Sequence, residues 1–215
     1  MKAESLEELL AWQPPNTLQI ISKGLLLPGT RMVIFGDPGV WKSMLAIHTA
    51  FSIATGRKWV GFETNSSSVL LVQLEIPKAE FRKRIEKYSQ QNGLRPQNLW
   101  FINEPYLKLD RDYGLSQLVS VLQIIRPQVL ILDPIYKLLS GDITSPYDTQ
   151  KLLDNLDHLL RNFNFGLILT GHTRKPKLDE TNAPIIRNWG RELMGSSHFE
   201  NWIDTGIAMN RLDDV

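Results

Sequence analysis

The stretch Gly36-Asp37-Pro38-Gly39-Val40-Trp41-Lys42-Ser43 constrains this chain more than any other. It joins an apolar run, Arg31-Met32-Val33-Ile34-Phe35, to a helix-forming one, Met44-Leu45-Ala46-Ile47-His48-Thr49-Ala50-Phe51. Strand, glycine-rich turn, Lys-Ser pair and helix follow the order of a phosphate-binding loop, G-x-x-x-x-G-K-[ST]. Backbone N–H groups in such a turn, with the positive end of the next helix, cradle phosphate oxygens. Lys42 is then expected to reach the β- and γ-phosphates of ATP, and the Ser43 hydroxyl to ligate Mg²⁺. The plainer alternative is a Gly/Pro turn that happens to contain a lysine.

Trp41 stands where the pattern has its second glycine. Glycine there admits positive φ and lets the backbone approach phosphate without a Cβ, whereas tryptophan is strained at such an angle. A working phosphate site is therefore expected only with a negative φ at Trp41, the indole then turned away from the phosphates onto the nucleotide or a neighbouring subunit.

Composition mainly excludes. The 215 residues contain no cysteine, so disulfides and thiolate metal sites are out, and a formal net charge of +1 points to no global nucleic-acid surface. The first ten residues are charged and amphipathic rather than signal-like, and no apolar run has the length of a membrane span. A cytoplasmic protein without a membrane partner is the expectation.

Branched apolar runs alternate with segments of helical period, the pattern of an α/β fold with a mostly parallel sheet and helices on both faces. Strands are predicted near 31–35, 69–74, 98–102, 128–132, 166–170 and 203–209, and helices near 43–55, 77–91, 114–125 and 148–163. Pro77 suits a first helical position, and Ser145-Pro146 suits the start of the last long helix. Residues 1–23 read as an entry segment and 24–215 as a single core. The chain ends directly after the last predicted strand, which leaves open a continuation past Val215.

Several strands deliver polar groups to one edge, where ligands bind in open α/β sheets. Val129-Leu130-Ile131-Leu132-Asp133 ends in an acid suited to Mg²⁺; the alternative is a cap before Pro134. Val69-Leu70-Leu71-Val72-Gln73-Leu74-Glu75 brings a carboxylate that can orient an attacking water, or else one that favours the dipole of the next helix. In Gly166-Leu167-Ile168-Leu169-Thr170-Gly171-His172, either His172 or Thr170 is placed to sense a γ-phosphate. The loop 174–191 carries Arg174, Lys175, Lys177, Arg187, Trp189 and Arg191, and reads as a single-stranded DNA contact or as a solvated loop.

With the phosphate loop, Glu75, Asp133 and His172 in this order, the chain resembles the RecA-like core ATPases, most of all the RepA-type hexameric replicative helicase and AAA-domain group. The resemblance runs from Gly24 to Arg211 and includes Gln73-Leu74-Glu75, Leu132-Asp133-Pro134, His172-Thr173-Arg174-Lys175 and Arg191-Glu192-Leu193-Met194-Gly195-Ser196-Ser197. It implies a Mg-ATP hydrolase that forms a homo-oligomeric ring and works on DNA, with Glu75 as catalytic carboxylate, Asp133 as second metal-site acid and His172 as sensor. It also implies that Arg174, Lys175 or Arg191 acts across a subunit seam. Two departures, Trp41 and the Glu192 that follows Arg191, bear on turnover. The competing reading is a nucleotide-gated binding or assembly module with weak or no hydrolysis.

Overall fold

The computed structural model describes residues 3–12, 19–173 and 197–210. After a short helix α1 (Leu6–Ala11), the chain alternates β1 (Arg31–Gly36), α2 (Lys42–Thr55), β2 (Val69–Gln73), α3 (Lys78–Asn92), β3 (Leu99–Asn103), α4 (Asp112–Ile125) and β4 (Val129–Asp133). A 3₁₀ turn (Ile135–Leu138), α5 (Pro146–Phe163), β5 (Gly166–His172), α6 (Ser197–Trp202) and β6 (Thr205–Met209) complete it. The six strands form one sheet in the order β3-β2-β4-β5-β1-β6. Every pairing is parallel.

The period-2 alternation of each strand divides the core in two. Met32, Ile34, Leu71, Ile131 and Ile168 join the Ala46, Ile47, Ala50 and Phe51 face of α2 and Phe81 of α3. Val33, Phe35, Val72, Leu132 and Leu169 face the other way, against Leu118 and Leu122 of α4, the leucines of α5 and Phe199 of α6. Helices therefore cover both faces, as the sequence pattern predicts. The four inner strands β1, β2, β4 and β5 are buried on both sides and read as continuous apolar runs for that reason, whereas the edge strands β3 and β6 are partly exposed.

Helix starts follow local chemistry. Ser145 caps α5 by accepting from the Asp148 N–H, with Pro146 in its first turn. Pro77 sits one residue earlier than predicted, at the N-cap of α3, and Gly93 stops that helix at φ +63°. Among the described residues, no helix is long and apolar enough to cross a membrane.

Candidate active site

At the carboxyl end of β1 the chain turns through Asp37-Pro38-Gly39-Val40-Trp41 into α2. Gly36 is required by crowding, since a Cβ there would lie 2.4 Å from the Met209 carbonyl oxygen and 2.9 Å from Val40 Cγ2. Trp41 is where the structure corrects the sequence-based expectation: its φ is +66° and ψ 25°, the left-handed conformation reserved in the motif for glycine. For a residue with a Cβ that costs roughly 1–2 kcal/mol. The surroundings over-determine the turn. Trp41 O accepts the first hydrogen bond of α2 from Leu45 N at 3.0 Å. Lys42 Nζ donates to Gly36 O at 2.9 Å and Asp37 O at 2.7 Å, closing the loop from inside. The indole stands 72% exposed at the rim. Backbone shape is thus retained and the side chain, not the φ angle, is what departs from the pattern.

Asp133 lies beside this loop, buried at the end of β4. Residues Gln73 and Asp133 face each other in register across β2 and β4. Their side chains therefore meet, and Gln73 Nε2 donates to Asp133 Oδ2 at 2.7 Å. Thr170, on the intervening strand toward β1, donates to Asp133 Oδ1. Burial pushes the Asp133 carboxyl above the usual carboxylate range, and the polar side chains of Thr170, Ser43 and Gln73 around it pull it back in part.

Gln73 does more than support Asp133. Its Oε1 accepts from the backbone N–H groups of Glu75 at 2.8 Å and Ile76 at 3.1 Å, so one buried amide links Asp133 to the turn that presents Glu75. Glu75 itself is exposed, and its Oε1 accepts from the Tyr136 hydroxyl at 2.6 Å. The Tyr136 ring lies 5.3 Å from the His172 ring, centroid to centroid. Burial and the hydrogen bond to Glu75 raise the Tyr136 phenol far above its ordinary value, so it remains a donor. Neither Gln73 nor Tyr136 stands out as a site residue in the sequence: the first is one polar residue in an apolar strand, the second an aromatic after Asp-Pro. The only available signal is the position of each beside an acid.

His172, at the end of β5, has a buried Nδ1 without a hydrogen-bond partner among the described residues. Burial, reinforced by the positive charge of Lys42, lowers its pKa, while Glu75 and Asp133 act the other way. Lys42 is also lowered by burial, with Asp133, Asp37 and Glu75 opposing. The next residue but one along from Gly171, Thr173, donates its hydroxyl to Asp37, tying the β5 end to the phosphate loop.

These groups open onto one cleft of about 430 Å³, lined by the loop residues Pro38, Gly39, Trp41, Lys42 and Ser43 together with Glu75, Asp133, Thr170 and His172. Arg84 of α3 lines it too, a residue the motif analysis passes over. The tertiary structure thus gathers Lys42, Ser43, Glu75, Asp133 and His172 from separate elements. Arg174, Lys175, Lys177, Arg187, Trp189 and Arg191, with the whole loop 174–191, lie outside the described residues.

Comparison with known proteins bears on the family and the fold. A family described as "AAA domain" matches residues 2–177. The chain is similar to the DNA repair protein RadA of Synechocystis sp., at 26% identity over 156 residues, which covers 71% of this chain and 30% of RadA. RadA of Streptococcus pyogenes serotype M1 matches at the same identity and coverage. The chain spans about 30% of the length of these curated relatives. Among solved structures, a KaiC-like protein from the hyperthermophilic archaeon Pyrococcus horikoshii superposes with a TM-score of 0.50 at 16% identity, covering 74% of this chain and 71% of that one. That likeness concerns the fold, a RecA-like α/β sheet.

Proposed function

Because the chain belongs to the AAA domain family and has a RecA-like P-loop ATPase core, we propose that it binds and hydrolyses Mg-ATP at the Gly36–Ser43 loop and uses that cycle, as a homo-oligomeric motor, to act on DNA. The observation that carries the proposal is the convergence of a loop lysine, a hydroxyl and two carboxylates from three strand ends on one cleft. RadA, a DNA repair protein by name, supports the DNA side of the reading. In this proposal residues 24–215 are the catalytic core and residues 1–23 lead into it.

The donor set at Ser43 and Asp133 is a hydroxyl and a carboxylate that line the same cleft. Hard oxygen donors of this kind fit Mg²⁺ shared with nucleotide phosphates and water better than a closed protein cage. Such an ion, when bound, neutralises charge on the β- and γ-phosphates. Lys42 leaves the carbonyls of Gly36 and Asp37 to meet the phosphates, and the Gly36 carbonyl keeps the Thr173 N–H as a partner at 3.1 Å. Glu75 accepts a proton from the attacking water. Tyr136 holds one carboxylate oxygen of Glu75 and leaves the other for that water. His172, neutral because of its buried site, offers a ring nitrogen for a γ-phosphate hydrogen bond. Arg174 and Arg191 are the proposed trans-acting cations, and loop 174–191 is the proposed single-stranded DNA contact.

The second reading, a nucleotide-gated assembly module, draws on one observation: the exposed Trp41 at the rim adds bulk where the motif has none. ATP turnover measured with and without single-stranded DNA separates the two. Stimulated turnover supports the motor. Tight ATP binding without turnover supports the module, and no ATP binding removes both.

A further inference from the structure

The connection from β3 to α4, residues 104–111, lines no part of the nucleotide cleft, yet it is bonded to both turns that build one wall of it. At its start it is tied to the turn that presents Glu75. Glu104 N donates to Gln73 O at 3.0 Å, and Asn103, the last residue of β3, donates its side-chain amide to Ile76 O at 2.8 Å. At its far end it grips the segment that presents Tyr136. Lys108 Nζ donates to Lys137 O at 2.6 Å and to Leu139 O at 2.9 Å, and Leu109 N donates to Leu138 O at 2.7 Å. Asp110 accepts from Ser140 N at 2.9 Å and from Ser140 Oγ at 3.2 Å.

Lys108 works from a fixed base. Its neighbours Leu107 and Leu109 are buried in the core, and Asn155 of α5 donates Nδ2 to Leu109 O at 2.7 Å. Gly114, in the first turn of α4, packs so closely that a Cβ would stand 2.1 Å from Lys108 O. The ammonium makes no ion pair among the described residues. Its partners are carbonyls that a 3₁₀ turn of four residues, Ile135–Leu138, cannot satisfy from within. Burial lowers the Lys108 pKa, with Asp110 opposing and the charge of Lys137 adding to the fall. A charged donor bonds a carbonyl about twice as strongly as a neutral one, so this is the firmest hold on the turn. Tyr136 is the second residue of that turn, next to the gripped carbonyl of Lys137, and its hydroxyl meets Glu75 Oε1 at 2.6 Å.

We propose that Lys108 is a positioning residue for ATP hydrolysis: by holding the carbonyls of Lys137 and Leu139 it fixes the Tyr136 hydroxyl against Glu75, and with it the direction in which Glu75 faces the attacking water. This rests on the hydrolytic reading above and deepens it. Because Lys108 lies outside the cleft, it governs turnover and leaves nucleotide affinity alone.

The test is a double-mutant cycle, read as ATP turnover at saturating Mg-ATP beside equilibrium binding of Mg-AMP-PNP. The variants are Lys108→Met, Lys108→Arg, Tyr136→Phe and Lys108→Met combined with Tyr136→Phe. Misplacing a reacting group by about 1 Å can lower a rate about 10²-fold. A slackened turn is a smaller fault, so Lys108→Met is expected to lose about tenfold in turnover, with AMP-PNP affinity within about twofold of wild type. Lys108→Arg keeps a cationic donor and is expected to recover most of that loss. Tyr136→Phe should lose a similar factor, and the double variant no more than the larger single loss, because both changes act on one contact. A merely structural lysine would lower the melting temperature without this coupling. Wild-type turnover in Lys108→Met or in Tyr136→Phe, an equal loss of AMP-PNP affinity, or losses that multiply in the double variant overturns the assignment and leaves the hydrolytic reading standing. Should Lys108→Met not fold, Lys108→Gln takes its place in the cycle under the same expectations. A wild-type chain that turns over no ATP overturns the hydrolytic reading, and this inference with it.

Discussion

The two ends of the sheet treat charge in opposite ways. At the amino end, Arg31 opens β1 and its guanidinium is fully engaged: Nε bonds Asp204 Oδ2 at 2.9 Å, Nη1 bonds Asp157 Oδ1 at 3.4 Å, and the group lies 5.0 Å from the Trp202 ring centre. Trp202 Nε1 donates to the same Asp157 oxygen at 2.8 Å. This network joins β1, α5, α6 and the start of β6, and it sets one guanidinium between two carboxylates. At the carboxyl end, Lys42 bonds two carbonyls, Asp133 accepts from neutral donors and Glu75 accepts from a phenol; the ion pairs among the described residues include none of the three. A protein can hold a buried charge with internal counter-charge or leave that role to a ligand. The amino end does the first, and the carboxyl end is built for the second.

The sharpest way to break this contrast is Glu75→Gln. Turnover should fall by about 10²–10⁴-fold, the usual worth of a general base, with ATP affinity close to wild type. Steady-state turnover beside equilibrium binding checks it, and equal losses in both would mean that Glu75 binds rather than orients water. Lys42→Ala comes next: ATP affinity should drop by roughly 10–100-fold as the charge-assisted contacts vanish, without a drop in thermal stability. A variant that melts early instead would make Lys42 structural, like its counterpart at the other end.

Arg31→Ala should show the converse behaviour. It is expected to lower stability by about 1–2 kcal/mol, because it strands Asp157 and Asp204 and uncovers Trp202, and to leave nucleotide affinity unchanged. Urea unfolding and calorimetry on one preparation test both halves. A smaller gain, about 0.5–1 kcal/mol, is expected for Trp41→Gly, since relief of the left-handed strain is partly offset by the freer unfolded chain. The same tryptophan should report Mg-ATP by a change in fluorescence that is missing in the glycine variant.

The smallest effect concerns pH. His172 has its folded pKa lowered from 6.5 by burial, so the fold favours its neutral form. The stability linked to that preference is present above about pH 6.5 and is lost as pH falls through the lower folded value. His172→Asn should therefore flatten the acid side of the stability profile. Unfolding midpoints between pH 7 and 5 that fall equally in both proteins would place the proton elsewhere.

Much of this architecture is legible along the chain. The inner strands of the parallel sheet are nearly continuous branched-apolar runs, and long helices carry an apolar stripe between recognisable start and stop residues, such as Ser145-Pro146 and Gly93. Asp133 and Glu75 are visible as acids that end such runs. Two things were harder. Trp41 is read from sequence as a residue that avoids positive φ, because single-residue propensity is weighed without the strand and helix that pin the turn. Gln73 and Tyr136 carry no motif of their own, and their partners are far away in the chain.

Sequence by itself determined what depends on neighbours within a few residues: the elements, their order, the phosphate-binding turn and the delivery of acids to strand ends. Hydrophobic period and turn chemistry act over that range. Only the tertiary structure decided which polar groups meet. Gln73 reaches Asp133 across 60 residues because β2 and β4 pair in register. Tyr136 reaches Glu75 across 61 residues. Such pairings are set by strand order and packing of the whole chain, where a shift of one residue in register between β2 and β4 would turn Gln73 away from Asp133.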